Sequence, residues 1–157
     1  MSNEIVVKKE GSYGLVEQFR KLARRVALPE MALTKAQAGE ADVWQFPLRN
    51  PWYTSIPVSV VTSIALSVNG YAIAEEQVEF VIREMAIPFP YARNLHELIW
   101  GLGERVYVRI IDPKMAQVVQ KKNQVAFDLT LRTAFEGYHL SNNRIDYPFE
   151  VEMEANV

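Results

Sequence analysis

The sequence predicts a mainly β protein: an antiparallel β-sandwich of jelly-roll-like outline, in one domain over residues 1–157, with 1–30 as an N-terminal extension holding an amphipathic helix. Three observations predict it. From Asp42 onward, apolar residues recur with a period of two, the alternation of half-buried strands in antiparallel sheets. Turn-forming clusters separate these runs, and Asn69-Gly70 is the strongest of them, because both residue types tolerate the positive φ that a type I′ hairpin turn requires. The first 28 residues follow the helical period instead.

In chain order, Leu15, Val16, Phe19, Leu22, Ala23 and Val26 share one helical face, with Arg20, Lys21, Arg24 and Arg25 largely opposite. Ser12 or Gly14 can start this helix, and Pro29 follows its end. The segment Trp44–Pro57 carries three prolines, which fix φ and interrupt pairing, so it reads as an ordered loop. Ile64, Leu66 and Val68 alternate up to Asn69-Gly70, and Tyr71–Ile73 returns as the second arm of a hairpin. Ala74–Met85 is rich in Glu, yet Val78, Phe80 and Ile82 alternate, so it reads as a strand. Asn94–Leu102 fits a short helical turn. Val106–Ile110, Val125–Leu131 and Phe149–Met153 repeat the alternation, with Glu150, Glu152 and Glu154 on the solvated side of the last. Short antiparallel strands joined by loops indicate a sandwich or a related barrel.

Composition excludes several classes of function. At 157 residues, 49% hydrophobic and 23% charged, the chain is long enough for a core without staples. A net charge of −2 gives no general attraction to nucleic acid. The absence of cysteine excludes disulfides, thiol nucleophiles and thiolate metal sites. The N-terminus lacks a signal-peptide pattern, and the apolar stretch Ile56–Val68 is too short and polar to span a membrane, so a cytoplasmic protein is expected.

Catalytic motifs are incomplete. His96-Glu97 begins like a zinc-protease helix, but Trp100 stands where the second histidine belongs. Gly101-Leu102-Gly103 lacks the third glycine of a phosphate loop, and neither Gly-Lys-Ser/Thr nor Gly-x-Ser-x-Gly occurs. No catalytic residue and no metal ligand is assigned in this chain. The candidate binding residues are Arg49, Trp52 and Tyr53, a guanidinium and two large aromatic rings on the proline-rich loop. Such side chains dominate interface hot spots and sugar contacts; alternatively, Trp52 and Tyr53 fold inward and plug one end of the sandwich.

The run Phe46-Pro-Leu-Arg49-Asn-Pro51-Trp-Tyr53-Thr-Ser-Ile-Pro57, continuing through Ile64–Val68 to Asn69-Gly70, resembles the small β subunit of bacterial C-glycoside deglycosidases. The similarity spans roughly Asp42 to Arg132, taking in Trp100, the Val106–Ile110 strand and the Val125–Arg132 strand. The chain departs from that outline at Asp112–Gln124, which is rich in Lys and Gln where a glycine-containing turn is expected.

The resemblance implies a β-sandwich-like subunit paired, in a hetero-oligomer, with a TIM-barrel-like large (alpha) subunit. It implies a carbon–carbon lyase acting on 3-oxo-C-glycosides of aromatic aglycones such as flavonoids. The 3-keto group acidifies the C2 proton, a base removes it, and a divalent metal (Mn or Mg) in the large subunit stabilises the enolate. The bond from C1 to the aglycone then breaks as the aromatic ring is protonated. On this reading the small subunit is inactive alone and holds no cofactor; it stabilises the large subunit and completes its active-site mouth through Arg49, Trp52 and Tyr53. Two other readings of the same residues are a carbohydrate-binding β-sandwich module and a structural domain that assembles with itself.

Overall fold

Three two-residue turns set the register of the fold. The computed structural model describes residues 27–52, 54–132 and 144–156. The expected helix over 15–26 lies outside them. Strands β1 (Ala32–Ala38) and β2 (Ala41–Arg49) are joined at Gly39, whose φ of 65° only glycine adopts without cost. β4 (Val61–Val68) and β5 (Tyr71–Ile73) are joined by Asn69 and Gly70 at φ 51° and 82°, the type I′ turn their sequence predicts. β6 (Val78–Ile82) and β7 (Met85–Pro88) are joined by Arg83 and Glu84 at φ 49° and 71°, the same left-handed pair without glycine or asparagine.

The remaining strands are β3 (Ile56–Pro57), β8 (Ile99–Trp100), β9 (Arg105–Ile110), β10 (Lys122–Arg132) and β11 (Arg144–Asn156). Single helical turns occur at Phe89–Ala92 and Met115–Val118. Nine strands form one sheet in the order β5-β4-β10-β11-β1-β2-β9-β6-β7, and β3 pairs with β8 apart from it. All pairings are antiparallel except that of β1 with β11. No described helix is long and apolar enough to cross a membrane.

The sheet is curled rather than flat. Phe46 on β2 and Phe127 on β10 are separated by two intervening strands, yet their rings lie 5.3 Å apart. At about 4.8 Å per strand, a flat sheet would hold those backbones some 14 Å apart. Phe127 also stacks on Phe149 of β11 at 4.5 Å, while Phe80 meets Phe89 at 5.3 Å and Trp100 at 6.0 Å. The inward residues Val106, Val108 and Ile110, and likewise Val125, Phe127 and Leu129, are buried, as their alternation requires. Glu150, Glu152 and Glu154 are exposed, the solvated side expected of them.

The mainly β expectation is met, but as one curled nine-stranded sheet rather than two stacked ones. Three local expectations change, and one strand is new. Ala41–Arg49 is a strand despite Pro47, because β1 ends its pairing at Gln45 and, among the described residues, Pro47 is paired with β9 alone, so its missing N–H breaks no second ladder there. The Ala74–Met85 strand is shortened to Val78–Ile82 by a 3-10 turn at Glu75–Gln77 and by the Arg83-Glu84 hairpin. The helical turn falls at Phe89–Ala92, and Asn94–Leu102 contains β8 instead. β1, with the weakly apolar sequence ALTKAQA, carried no strand signal of its own.

One polar contact ties the β5 edge to the chain leaving β9. The Tyr71 hydroxyl donates to Asp112 Oδ2 at 2.6 Å, and the Lys114 backbone N–H donates to Asp112 Oδ1 at 2.9 Å. These bonds hold the Asp112 carboxyl below its ordinary range, the Tyr71 hydroxyl contributing most, and the same hydroxyl–carboxylate bond pushes the Tyr71 hydroxyl up. The lowered carboxyl supports the fold above the ordinary carboxylate range, about pH 4, and this support is lost as pH falls through the lower native value. The raised hydroxyl supports it below about pH 10, and that support is lost as pH rises through the higher native value. Tyr71→Phe is therefore expected to flatten the alkaline decline in Tm and to make the acid decline shallower. Thermal unfolding from about pH 3 to pH 11 checks this; superimposable wild-type and variant profiles would refute it.

Candidate functional site

The chain leaving β2 at Arg49 is held by a buried asparagine. Asn50 is 2% exposed, and its Nδ2 donates to the carbonyls of Trp100 (3.1 Å), Gly101 (3.0 Å) and Thr54 (3.2 Å). Its Oδ1 accepts the Trp52 N–H at 2.8 Å, the side-chain turn that asparagine makes with a backbone two residues on. Its own N–H donates to the Glu104 carbonyl at 2.9 Å. Around this hub, the Ser55 hydroxyl accepts the Leu102 N–H, the Trp100 indole donates to the Glu104 carbonyl, and β3 pairs with β8. The proline-rich loop is thus clamped on the 98–104 segment.

This geometry separates Trp52 from Arg49. Trp52 is 5% exposed and belongs to the core, as in the plug alternative. Tyr53 lies outside the described residues. Arg49 ends β2 half-buried, directly opposite Arg105 of β9.

Arg49 leads onto a basic face that sequence reasoning did not assemble. Gln45, Pro47 and Arg49 of β2 face Arg109, Tyr107 and Arg105 of β9, and Glu79 and Val81 of β6 pair with Arg109 and Tyr107 from the other side. Arg109 is satisfied there: its Nε donates to Gln45 at 3.0 Å, and Glu79 lies 3.9 Å from its guanidinium. Arg83, in the left-handed turn, bonds the Ile99 carbonyl and Glu104. Arg49 and Arg105 have no ion pair with any described residue. A groove of about 450 Å³ is lined by Gln45, Val81, Tyr107, Arg83, Arg105 and Arg109, with Glu84 as its one carboxylate. Ile99 and Leu102, 42% and 65% exposed, stand on the segment that Arg83 and Asn50 hold. This is interface composition, arginine and tyrosine beside exposed aliphatic surface.

The period-two spacing of Arg105, Tyr107 and Arg109 was legible as the polar face of a strand. Its alignment with Arg49 was not, since register between distant strands has no local signature.

Elsewhere, a shallow groove of about 700 Å³ on the outer face of β4, β5, β10 and β11 includes Ala65, Ser67, Ala72, Ala126, Asp128 and Glu150. His96 is exposed, with Nδ1 3.0 Å from the Ser59 hydroxyl. Among the described residues, no three of His, Asp and Glu are grouped to hold a metal ion. What the Arg49–Arg105 face can do is neutralise carboxylates and cover apolar surface.

A search of curated proteins finds no match to this chain. Comparison with known families matches residues 24–135 to the C-glycoside deglycosidase beta subunit. The matched stretch takes in the Asn50 hub, the proline-rich loop and the whole arginine face. It covers well over half of the chain, which therefore belongs to the family of C-glycoside deglycosidase beta subunits, each one subunit of a complex.

Proposed function

We propose that this chain is the non-catalytic subunit of a carbon–carbon bond-cleaving enzyme acting on 3-oxo-C-glycosides of aromatic aglycones. The family match over residues 24–135 carries the reading. The chemistry falls to a TIM-barrel-like large subunit that supplies the base and a divalent metal, Mn or Mg. This chain stabilises that subunit and completes the mouth of its active site. The Arg49–Pro57 loop supports the assignment: Arg49 is half-buried at the end of β2, and Trp52 anchors the loop in the core. The clamp by Asn50 suits such a role, because a preordered loop loses little conformational entropy on binding.

Co-expression with a large subunit of the same family, followed by assay on a 3-oxo-C-glucoside, tests the reading. The expected result is a co-purifying complex whose activity falls at least tenfold when this chain is omitted. Failure to co-purify, together with unchanged activity, would reject it.

A further inference from the structure

We infer that the outer face of β2, β9 and β6, centred on Arg49 and Arg105, receives a carboxylate-bearing surface of the partner large subunit; the inference rests on the subunit reading above. Three observations converge on this face.

The first is charge. Arg49 and Arg105 are directly opposite each other on neighbouring strands, and neither has an acidic partner among the described residues. Like charges in that register are destabilising, so the isolated chain bears a cost that an anion from outside removes. Arg109, on the same face, shows the contrast: its neighbours Gln45 and Glu79 already satisfy it. The excess is local, because the chain as a whole is negative and Glu150, Glu152 and Glu154 sit exposed on another strand.

The second is backbone strain. The β6–β7 turn holds two non-glycine residues, Arg83 and Glu84, at positive φ, and both line the same groove. A left-handed conformation is unfavourable for a non-glycine residue, and such strain collects at functional positions. An Asn-Gly pair, as in the β4–β5 hairpin, would relieve it but would remove the guanidinium that reaches Ile99 and Glu104.

The third is composition. Tyr107 lies between the arginines, and Leu102 and Ile99 stand exposed on the adjoining segment. Guanidinium forks match carboxylates in two-point geometry, and aromatic and aliphatic neighbours exclude water from such pairs. An extended acidic protein surface meets both the charge and the apolar part; a small free anion meets only the first.

The test exploits two effects of opposite sign. Arg49→Glu places a carboxylate opposite Arg105, so the isolated chain gains a cross-strand pair and its Tm rises by roughly 2–5 °C. The same variant repels an acidic partner, and its affinity for the large subunit falls about 100-fold. Arg105→Glu behaves alike, while Glu152→Lys, remote from the face, leaves affinity within about threefold of wild type. Wild-type association weakens as salt is raised, and that of the two arginine variants does not weaken further. Wild-type affinity in both arginine variants overturns the inference and leaves the subunit reading standing. Wild-type chain that binds no large subunit overturns the subunit reading itself. A wild-type chain that self-associates through this face, with both arginine variants monomeric, assigns the face to a second copy and also overturns the inference.

Discussion

Trp100→Ala is expected to remove about 3–5 kcal/mol of stability, the range for deleting a large buried aromatic side chain. Trp100 has no exposed surface and packs edge-on against Phe80 at 6.0 Å. Its indole N–H donates to the Glu104 carbonyl, the same carbonyl that accepts the Asn50 N–H. The variant therefore leaves a cavity and also loosens the turn that aligns Glu104 with Arg83. Domains of this kind have total stabilities of about 5–15 kcal/mol, so the loss consumes a large part of the margin. Urea unfolding would show the midpoint falling with little change in slope. Trp100→Phe keeps most of the volume but not the donor, and should lose only about 1–2 kcal/mol. A Trp100→Ala midpoint within error of wild type would mean that this end of the fold is not packed as described.

Asn50→Ala is expected to cost about 2–4 kcal/mol by a different route. The side chain is small, so the lost volume is minor; what matters is that three carbonyls and one N–H lose their partner in a buried place. Asn50→Asp separates the two halves of the hub. It keeps an acceptor for the Trp52 N–H but turns an oxygen toward the carbonyls, which favours the protonated acid. Its native carboxyl is then raised above its unfolded value, so the variant is closest to wild type in acid and weakens as pH rises through that raised value. Denaturation of the wild type, Asn50→Ala and Asn50→Asp at about pH 4 and pH 8 resolves this. Equal losses for Asn50→Asp at both values would remove the hub from the account.

The parts of the fold legible in the sequence were those governed by local rules. Val106–Ile110 and Val125–Leu131 alternate because one face is buried, and Asn69-Gly70 announces its turn because both residues tolerate positive φ. Arg83-Glu84 makes the same turn without its usual residues, so it read as the end of a strand. Pro47 suggested a loop, since proline breaks strands in general, and only the sheet order shows that β2 pairs on one side alone at that point among the described residues. Of the candidate site, Arg49 was visible as a cation on a proline-rich loop. Trp52 was visible as a large aromatic ring, but not which way it turns. Asn50, the residue that organises the loop, was passed over because a buried asparagine is indistinguishable in sequence from a turn residue. The pairing of Arg49 with Arg105 depends on register between strands far apart in the chain, which composition and periodicity do not encode.

The parallel seam between β1 and β11 has a consequence for the order of events in folding. Ala32 meets Glu154 and Thr34 meets Asn156, so the earliest described strand is completed by the latest one, with β10 on the far side of β11. Until β11 arrives, β1 and β10 both expose bare backbone, and the ring contact between Phe46 and Phe127 has no wall behind it. Closing so long a loop is entropically slow, and topologies dominated by distant pairings fold orders of magnitude more slowly than local ones. The hairpins can form early, each from its own turn, whereas the curl that brings the sheet over its core waits for the last strand to zip in. The seam between β1 and β11 is thus a contact that no local turn can make early.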